Sequence, residues 1–128
     1  MAVIVFCEDD PGIQKLIRSA LRRSLHTVEM ANDGVEGLAL IERVRPAVVF
    51  ADITMPAMDG IALCRALRAR SDLAAIPFVV MTASTEPEKL QACLAVGATD
   101  YLTKPFNLPE LRAKVERYAT DAAQPAQG

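Results

Sequence analysis

The hydrophobic period along the chain switches repeatedly between two and 3.6 residues, the sequence sign of strands alternating with helices in βαβ units. Five rounds fit. Ala2 to Cys7 is an apolar run that predicts a first strand, and Pro11 suits the first turn of a helix whose apolar face is Ile13, Leu16, Ile17, Ala20 and Leu21. Thr27 to Ala31 reads as a short second strand. Asn32-Asp33-Gly34 supplies a turn and a cap for a second helix, which would bury Val35, Leu38 and Ile41 and end before Pro46. Ala47 to Asp52 is the third strand, and Asp59-Gly60 opens a helix to about Arg70 that buries Ile61, Cys64 and Leu67. Pro77 to Thr82 is the fourth strand. Pro87 begins a helix with Leu90, Cys93 and Leu94 inward and Gly97 as its left-handed stop. Thr99 to Thr103 is the fifth strand, and Asn107 caps a last helix with Leu108, Leu111, Val115 and Tyr118 on one face. Right-handed crossovers, with the near-continuous apolar first and third strands at the centre, give an α/β fold. Its five-stranded parallel sheet is doubly wound, in the order 2-1-3-4-5.

Composition narrows the class. A chain of 128 residues makes one domain, expected over residues 1–120, and buries about two thirds of its unfolded surface. Asp121 to Gly128 carries little to bury and reads as a flexible tail or linker remnant. No apolar run reaches membrane-spanning length and Met1 leads directly into the first strand, so a soluble, cytoplasmic protein is expected. A net charge of −2, with basic residues scattered over several helices, argues against direct nucleic-acid binding. Cys7, Cys64 and Cys93 lack metal-ligand spacing and are read as buried thiols. His26 has no second histidine beside it and is read as an ordinary surface residue.

The chemistry is concentrated where apolar runs end in acids. The first strand runs into Glu8, Asp9 and Asp10, and the third ends at Asp52. In the predicted order these strands are neighbours and the fold's switch point lies between them, so the acids meet in the crevice at the carboxyl edge of the sheet. Two carboxylates about 4 Å apart repel by roughly 4 kcal/mol at an effective dielectric near 20, so the cluster requires a cation or must hold a proton. Thr82 ends the fourth strand and Lys104 follows the fifth, adding a hydroxyl and an ammonium. Acids, a hydroxyl and a lysine suit Mg²⁺ with a phosphate, and the central Asp52 is the candidate for an aspartyl-phosphate nucleophile. Asp10 and Asp59 fit better as helix N-caps.

Four segments carry a family resemblance: Cys7-Glu8-Asp9-Asp10-Pro11, Asp52 to Gly60, Met81-Thr82-Ala83, and Gly97 to Phe106 with Lys104-Pro105 inside it. In that order and spacing the chain resembles a bacterial response regulator receiver domain of two-component signalling, over about residues 2–120, and the chemotaxis regulators in particular. The resemblance implies a flavodoxin-like fold. It implies that Asp52 accepts a phosphoryl group from a histidine kinase or histidine phosphotransfer protein. Glu8, Asp9, Asp52 and the backbone carbonyl of Thr54 would hold Mg²⁺, or Mn²⁺ in its place, with Asp9 direct and Glu8 through water. Lys104 would neutralise the acyl phosphate. Thr82 would move to hydrogen-bond it, and Tyr101 would turn inward as the switch aromatic, although as a bare edge-strand residue Tyr101 could equally be half-buried. The change would appear on the face of the fourth helix, fifth strand and fifth helix, where an output domain, a target protein or a second copy would dock. Asp100, Glu110 and Lys114 could pair across such a homodimer.

On this reading the chain is not a dedicated enzyme, but it catalyses its own phosphoryl transfer to Asp52 and its own dephosphorylation. Thr54 and Ser84, at positions that tune hydrolysis in the family, are neither acids nor amides, which predicts a slow to moderate loss. Three rivals differ in class. A Mg²⁺-dependent phosphatase of the haloacid dehalogenase kind needs an acid where Thr54 stands. A flavodoxin would not receive a phosphate against Glu8-Asp9-Asp10. A receiver-like binding module without phosphorylation would not need every reactive position filled.

Overall fold

The computed structural model describes residues 2–83 and 85–123. Five strands alternate with five helices: β1 (Val3–Cys7), α1 (Pro11–Ala20), β2 (Thr27–Ala31), α2 (Gly34–Val44), β3 (Val48–Asp52), α3 (Gly60–Arg68), β4 (Phe78–Ala83), α4 (Pro87–Ala95), β5 (Asp100–Lys104) and α5 (Leu108–Ala123). All pairings are parallel and the order is β2-β1-β3-β4-β5, as the hydrophobic pattern predicts. The last helix runs to Ala123, so the first residues of the expected tail belong to α5, while 124–128 lie outside the described residues.

The strand period of two sorts the sheet into two cores. Val5, Cys7, Val49, Ala51, Phe78 and Val80 face Leu40, Ile41, Leu63, Cys64, Leu67 and Cys93, on α2, α3 and α4. Ile4, Phe6, Val48, Phe50, Val79, Met81 and Leu102 face Ile17, Ala20, Leu111, Val115 and Tyr118, on α1 and α5. Burial of whole strands on both faces is why β1, β3 and β4 read as unbroken apolar runs.

Helix ends follow their caps. Asp10 accepts from the amides of Gly12 and Ile13, Asp33 from Glu36, Asp59 from Ala62 at 2.8 Å, and Asn107 from Glu110 at 2.7 Å. Gly97 has φ of +111°, the left-handed half of backbone space expected of it after α4. Gly60 is required by a close approach: a Cβ there would lie 2.7 Å from the carbonyl oxygen of Asp52.

Three expectations change. Val35 is 54% exposed, and α2 packs instead through Gly34, Gly37, Leu40 and Ile41. Ile41 is buried and Leu38 packs against the core as expected, but Val35 lies outside the packed face, because two glycines let the backbone itself approach β1 and the β3–α3 loop. Leu16, placed on the inner face of α1, is 40% exposed. His26 is not an ordinary surface residue: its side chain is 12% exposed, its Nδ1 accepts from the Ala2 amide at 3.0 Å, and its Nε2 lies 3.0 Å from Glu116 on α5. The thiols are buried and unpaired as expected, and burial pushes Cys7 up to about 12.

Candidate phosphoacceptor site

Strand register and the period of two assemble the site. Phe6 pairs with Phe50 across β1 and β3, so Glu8 and Asp52, each two residues on, emerge together on the side of the sheet covered by α1 and α5. Lys104 stands two residues beyond Leu102, on the same side. Its Nζ lies 2.7 Å from Oε1 of Glu8 and 2.5 Å from Oδ2 of Asp52, so one ammonium bridges the two acids.

Glu8 is fully buried, and its second oxygen accepts from the Asp10 amide at 3.1 Å. Burial, with the Asp52 charge adding to it, pushes the Glu8 carboxyl above the ordinary carboxylate range; the hydrogen bonds from Lys104 and the Asp10 amide offset only part of this. Burial works against the charge on Lys104, but its bonds to Asp52 and Glu8 outweigh that and hold its pKa above the ordinary value. Asp52 is mostly covered, and its Oδ1 accepts from the Thr54 amide at 3.1 Å. Asp9 is exposed, and oxygens of Glu8, Asp9 and Asp52 lie within 4.8 Å of one another, near enough to share one cation. These three acids, with Asp10, Ile13, Thr54, Ala83, Glu86 and Lys104, line a cavity of about 400 Å³ at the carboxyl edge of the sheet.

Thus Glu8, Asp9, Asp52, Thr54 and Lys104 converge. Thr82 does not touch the acids in this state: it is 2% exposed and its hydroxyl donates to the Ala83 carbonyl at 3.2 Å. Tyr101 points outward, 45% exposed, with the Lys114 ammonium 5.9 Å from its ring centroid. Asp100 and Lys114, considered as partners across a dimer, pair within the chain at 2.8 Å, and the Tyr118 hydroxyl donates to the same Asp100 oxygen at 2.6 Å. Ser84 lies outside the described residues.

Sequence reasoning missed three neighbours of the site. Gln14, one turn into α1, donates to the Glu8 carbonyl and to Asn32 Oδ1; its spacing of four from Asp10 would have placed it there once Pro11 fixed the helix start. Glu86 and Lys89, from the start of α4, reach the cavity and its rim, and no sequence spacing links them to Asp52.

The family profile described as "Response regulator receiver domain" matches residues 4–116. The chain belongs to that family. Among curated relatives, the response regulator MprA of Mycobacterium leprae (strain TN) is 40% identical over 112 residues, covering 88% of this chain and 48% of the relative. The chain therefore spans about half the length of the curated relatives it matches. Among solved structures, the signal receiver domain of a signal transduction histidine kinase from Syntrophus aciditrophicus superposes with a TM-score of 0.89 at 29% identity, covering 100% of this chain and 97% of that one. The receiver domain of sensor histidine kinase PA1611 from Pseudomonas aeruginosa PAO1, solved with a magnesium ion coordinated in its active-site cleft, gives 0.85 at 30% identity, covering 93% and 98%.

Proposed function

We propose that this chain is the phosphoacceptor switch of a two-component phosphorelay, in which Asp52 takes a phosphoryl group from the phosphohistidine of a histidine kinase or phosphotransfer protein. One observation carries the reading: a single ammonium, Lys104, is clamped between Glu8 and Asp52 while Asp9 brings a third carboxylate into the same open cavity. Three acids and one lysine sum to about −2, and a phosphoryl group on Asp52 takes that to about −3. A divalent cation would return the site to about −1, so the pocket is balanced for cation and phosphate together.

The donor set fits Mg²⁺, and by the same oxygen chemistry Mn²⁺: carboxylates of Glu8, Asp9 and Asp52, with the Thr54 backbone carbonyl as a further oxygen. Both Glu8 oxygens already accept hydrogen bonds, which favours contact through water, whereas Asp9 is open to bind directly. When bound, such an ion neutralises charge on the transferring phosphoryl oxygens. The magnesium held by the Pseudomonas relative supports the assignment.

Asp52 then attacks phosphorus, the phosphorus–nitrogen bond breaks, and the imidazole nitrogen leaves with the electron pair and takes up a proton. Lys104 faces the new phosphoryl oxygens. Thr82 exchanges the Ala83 carbonyl for a phosphoryl oxygen, and Tyr101 leaves Lys114 and turns inward, which alters the face of α4, β5 and α5. That face would control an output domain, a target protein or a homodimer, in the cytoplasm and without direct contact to membrane or nucleic acid. The chain would act as its own catalyst for gaining and losing the phosphoryl group, not as a dedicated enzyme.

Incubation with a small phosphodonor such as acetyl phosphate and Mg²⁺, read by intact mass, tests this. Wild type should gain one labile phosphoryl group, and Asp52→Asn or excess EDTA should prevent it. An unmodified wild type would contradict the proposal.

A further inference from the structure

One contact crosses the mouth of the cavity and has no part in the chemistry described above. Lys89, in the first turns of α4, places Nζ 3.4 Å from Oγ1 of Thr54 and 2.8 Å from Oε2 of Glu86. Thr54 belongs to the β3–α3 loop and Glu86 to the β4–α4 loop, and both line the cavity that holds Asp52. One ammonium therefore joins two opposite walls of the site. Thr54 is tied at its other end as well, since its amide donates to Asp52 Oδ1 at 3.1 Å. The carboxylates around Lys89, Glu86 first and then Asp59 and Asp52, favour its charged form.

We propose that Lys89 is a positioning residue for hydrolysis of the phosphorylated protein, bracing the β3–α3 loop against the β4–α4 loop so that water has restricted access to the phosphoryl group on Asp52. This rests on the phosphoacceptor reading. In hydrolysis a water oxygen bonds to phosphorus as the bond from phosphorus to the Asp52 oxygen breaks. The carboxylate leaves with the electron pair, inorganic phosphate departs and the water's proton passes to solvent. The attacking water must arrive on the side of phosphorus away from the Asp52 oxygen, which is the open side of the cavity. Thr54 and Glu86, one from each loop, line that cavity. The Thr54 hydroxyl is already engaged by Lys89, so the gap between the loops becomes the control on rate. Lys89 sets that gap.

The test is the first-order decay of the phosphoryl group after removal of the phosphodonor, followed by intact mass in wild type, Lys89→Ala, Lys89→Arg and Thr54→Val. Loss of one exposed hydrogen-bonded ion pair should speed decay by about two- to fivefold in Lys89→Ala. Lys89→Arg, which keeps the charge and the donors, should remain within about twofold of wild type. Thr54→Val, which keeps the shape but removes the acceptor, should speed decay, and the double variant Lys89→Ala/Thr54→Val should be no faster than the faster single one. A wild type that takes up no phosphoryl group overturns the phosphoacceptor reading, and this role with it. Normal uptake with unchanged or slower decay in Lys89→Ala overturns the brace alone, as does an arginine variant that behaves like alanine.

Discussion

Phe6 and Phe50 stack ring on ring, with centroids 4.8 Å apart and planes 16° from parallel, two residues below Glu8 and Asp52 on adjacent strands. The stack is fully buried and belongs to the same β1–β3 register that brings the two acids out side by side. Packing in the core and charge at the edge are thus one arrangement.

Truncating this stack should be costly. Phe6→Ala is expected to lower the unfolding free energy by about 3–5 kcal/mol, through lost burial plus the cavity left behind. Equilibrium urea unfolding should show a lower midpoint with an unchanged slope. A loss below ~1 kcal/mol would mean that the stack does not stabilise the fold.

Removing the bridging lysine should expose the cost of a buried acid. Lys104→Met leaves Glu8 fully buried beside Asp52 without its cation. The expected loss is roughly 3 kcal/mol near neutral pH, shrinking as pH falls toward the ordinary carboxylate value of 4.5 and Glu8 takes a proton instead. In wild type the sign at high pH is the reverse of an acid's: the raised Lys104 pKa gives stability that is full below 10.5 and is lost as pH rises through the folded value. Equal losses near neutral pH and near pH 4.5 would contradict this account.

On the same face of β5 as Lys104, four residues earlier, burial alone would raise the Asp100 carboxyl, but its bonds from Lys114 and Tyr118 prevail and hold it below the ordinary 3.8. A depressed carboxyl contributes stability that is present above 3.8 and is lost as pH falls through the folded value. Asp100→Asn should therefore be less stable than wild type at neutral pH, and the two melting curves should converge in strong acid. Divergence that grows on acidification would show the wrong sign.

Two neighbouring acids should separate cleanly by role. Mg²⁺ at a hundred times its Kd should stabilise the fold by about 2.7 kcal/mol, reversibly with EDTA. Asp9→Asn should abolish that gain. Asp10→Ala should keep it and lose about 1 kcal/mol of basal stability, the usual cost of an N-cap. Thermal melts with and without the ion distinguish the two, and retention of the Mg²⁺ effect in Asp9→Asn would remove Asp9 from the metal site.

The strand order and the acids were legible because each depends on local pattern. Apolar runs buried on both faces mark the central strands, and the acids follow at their ends. What the sequence hid depends on contacts between elements. Val35 fits an amphipathic stripe, but Gly37 brings α2 so close to β1 that an added Cβ would lie 2.5 Å from the Cys7 sulfur, and the packed face centred on the glycines leaves Val35 outside it. His26 reads as a loop residue until α5 brings Glu116 against it. Thr82 reads as a neighbour of the acids by strand position alone, whereas its hydroxyl donates to the Ala83 carbonyl, a local bond that no spacing encodes. Lys89 lies 35 residues from Thr54, and only the fold joins them.

The central claim is that Asp52, among four clustered acids, takes the phosphoryl group. Its most direct test is peptide-resolved mass spectrometry of the chain after phosphodonor and Mg²⁺ treatment and trapping with hydroxylamine, which converts an aspartyl phosphate into a hydroxamate. The account predicts the hydroxamate on Asp52 and on no other residue. A hydroxamate on Glu8, Asp9 or Asp10, or a phosphoryl ester on Thr82 that survives hydroxylamine, would contradict it.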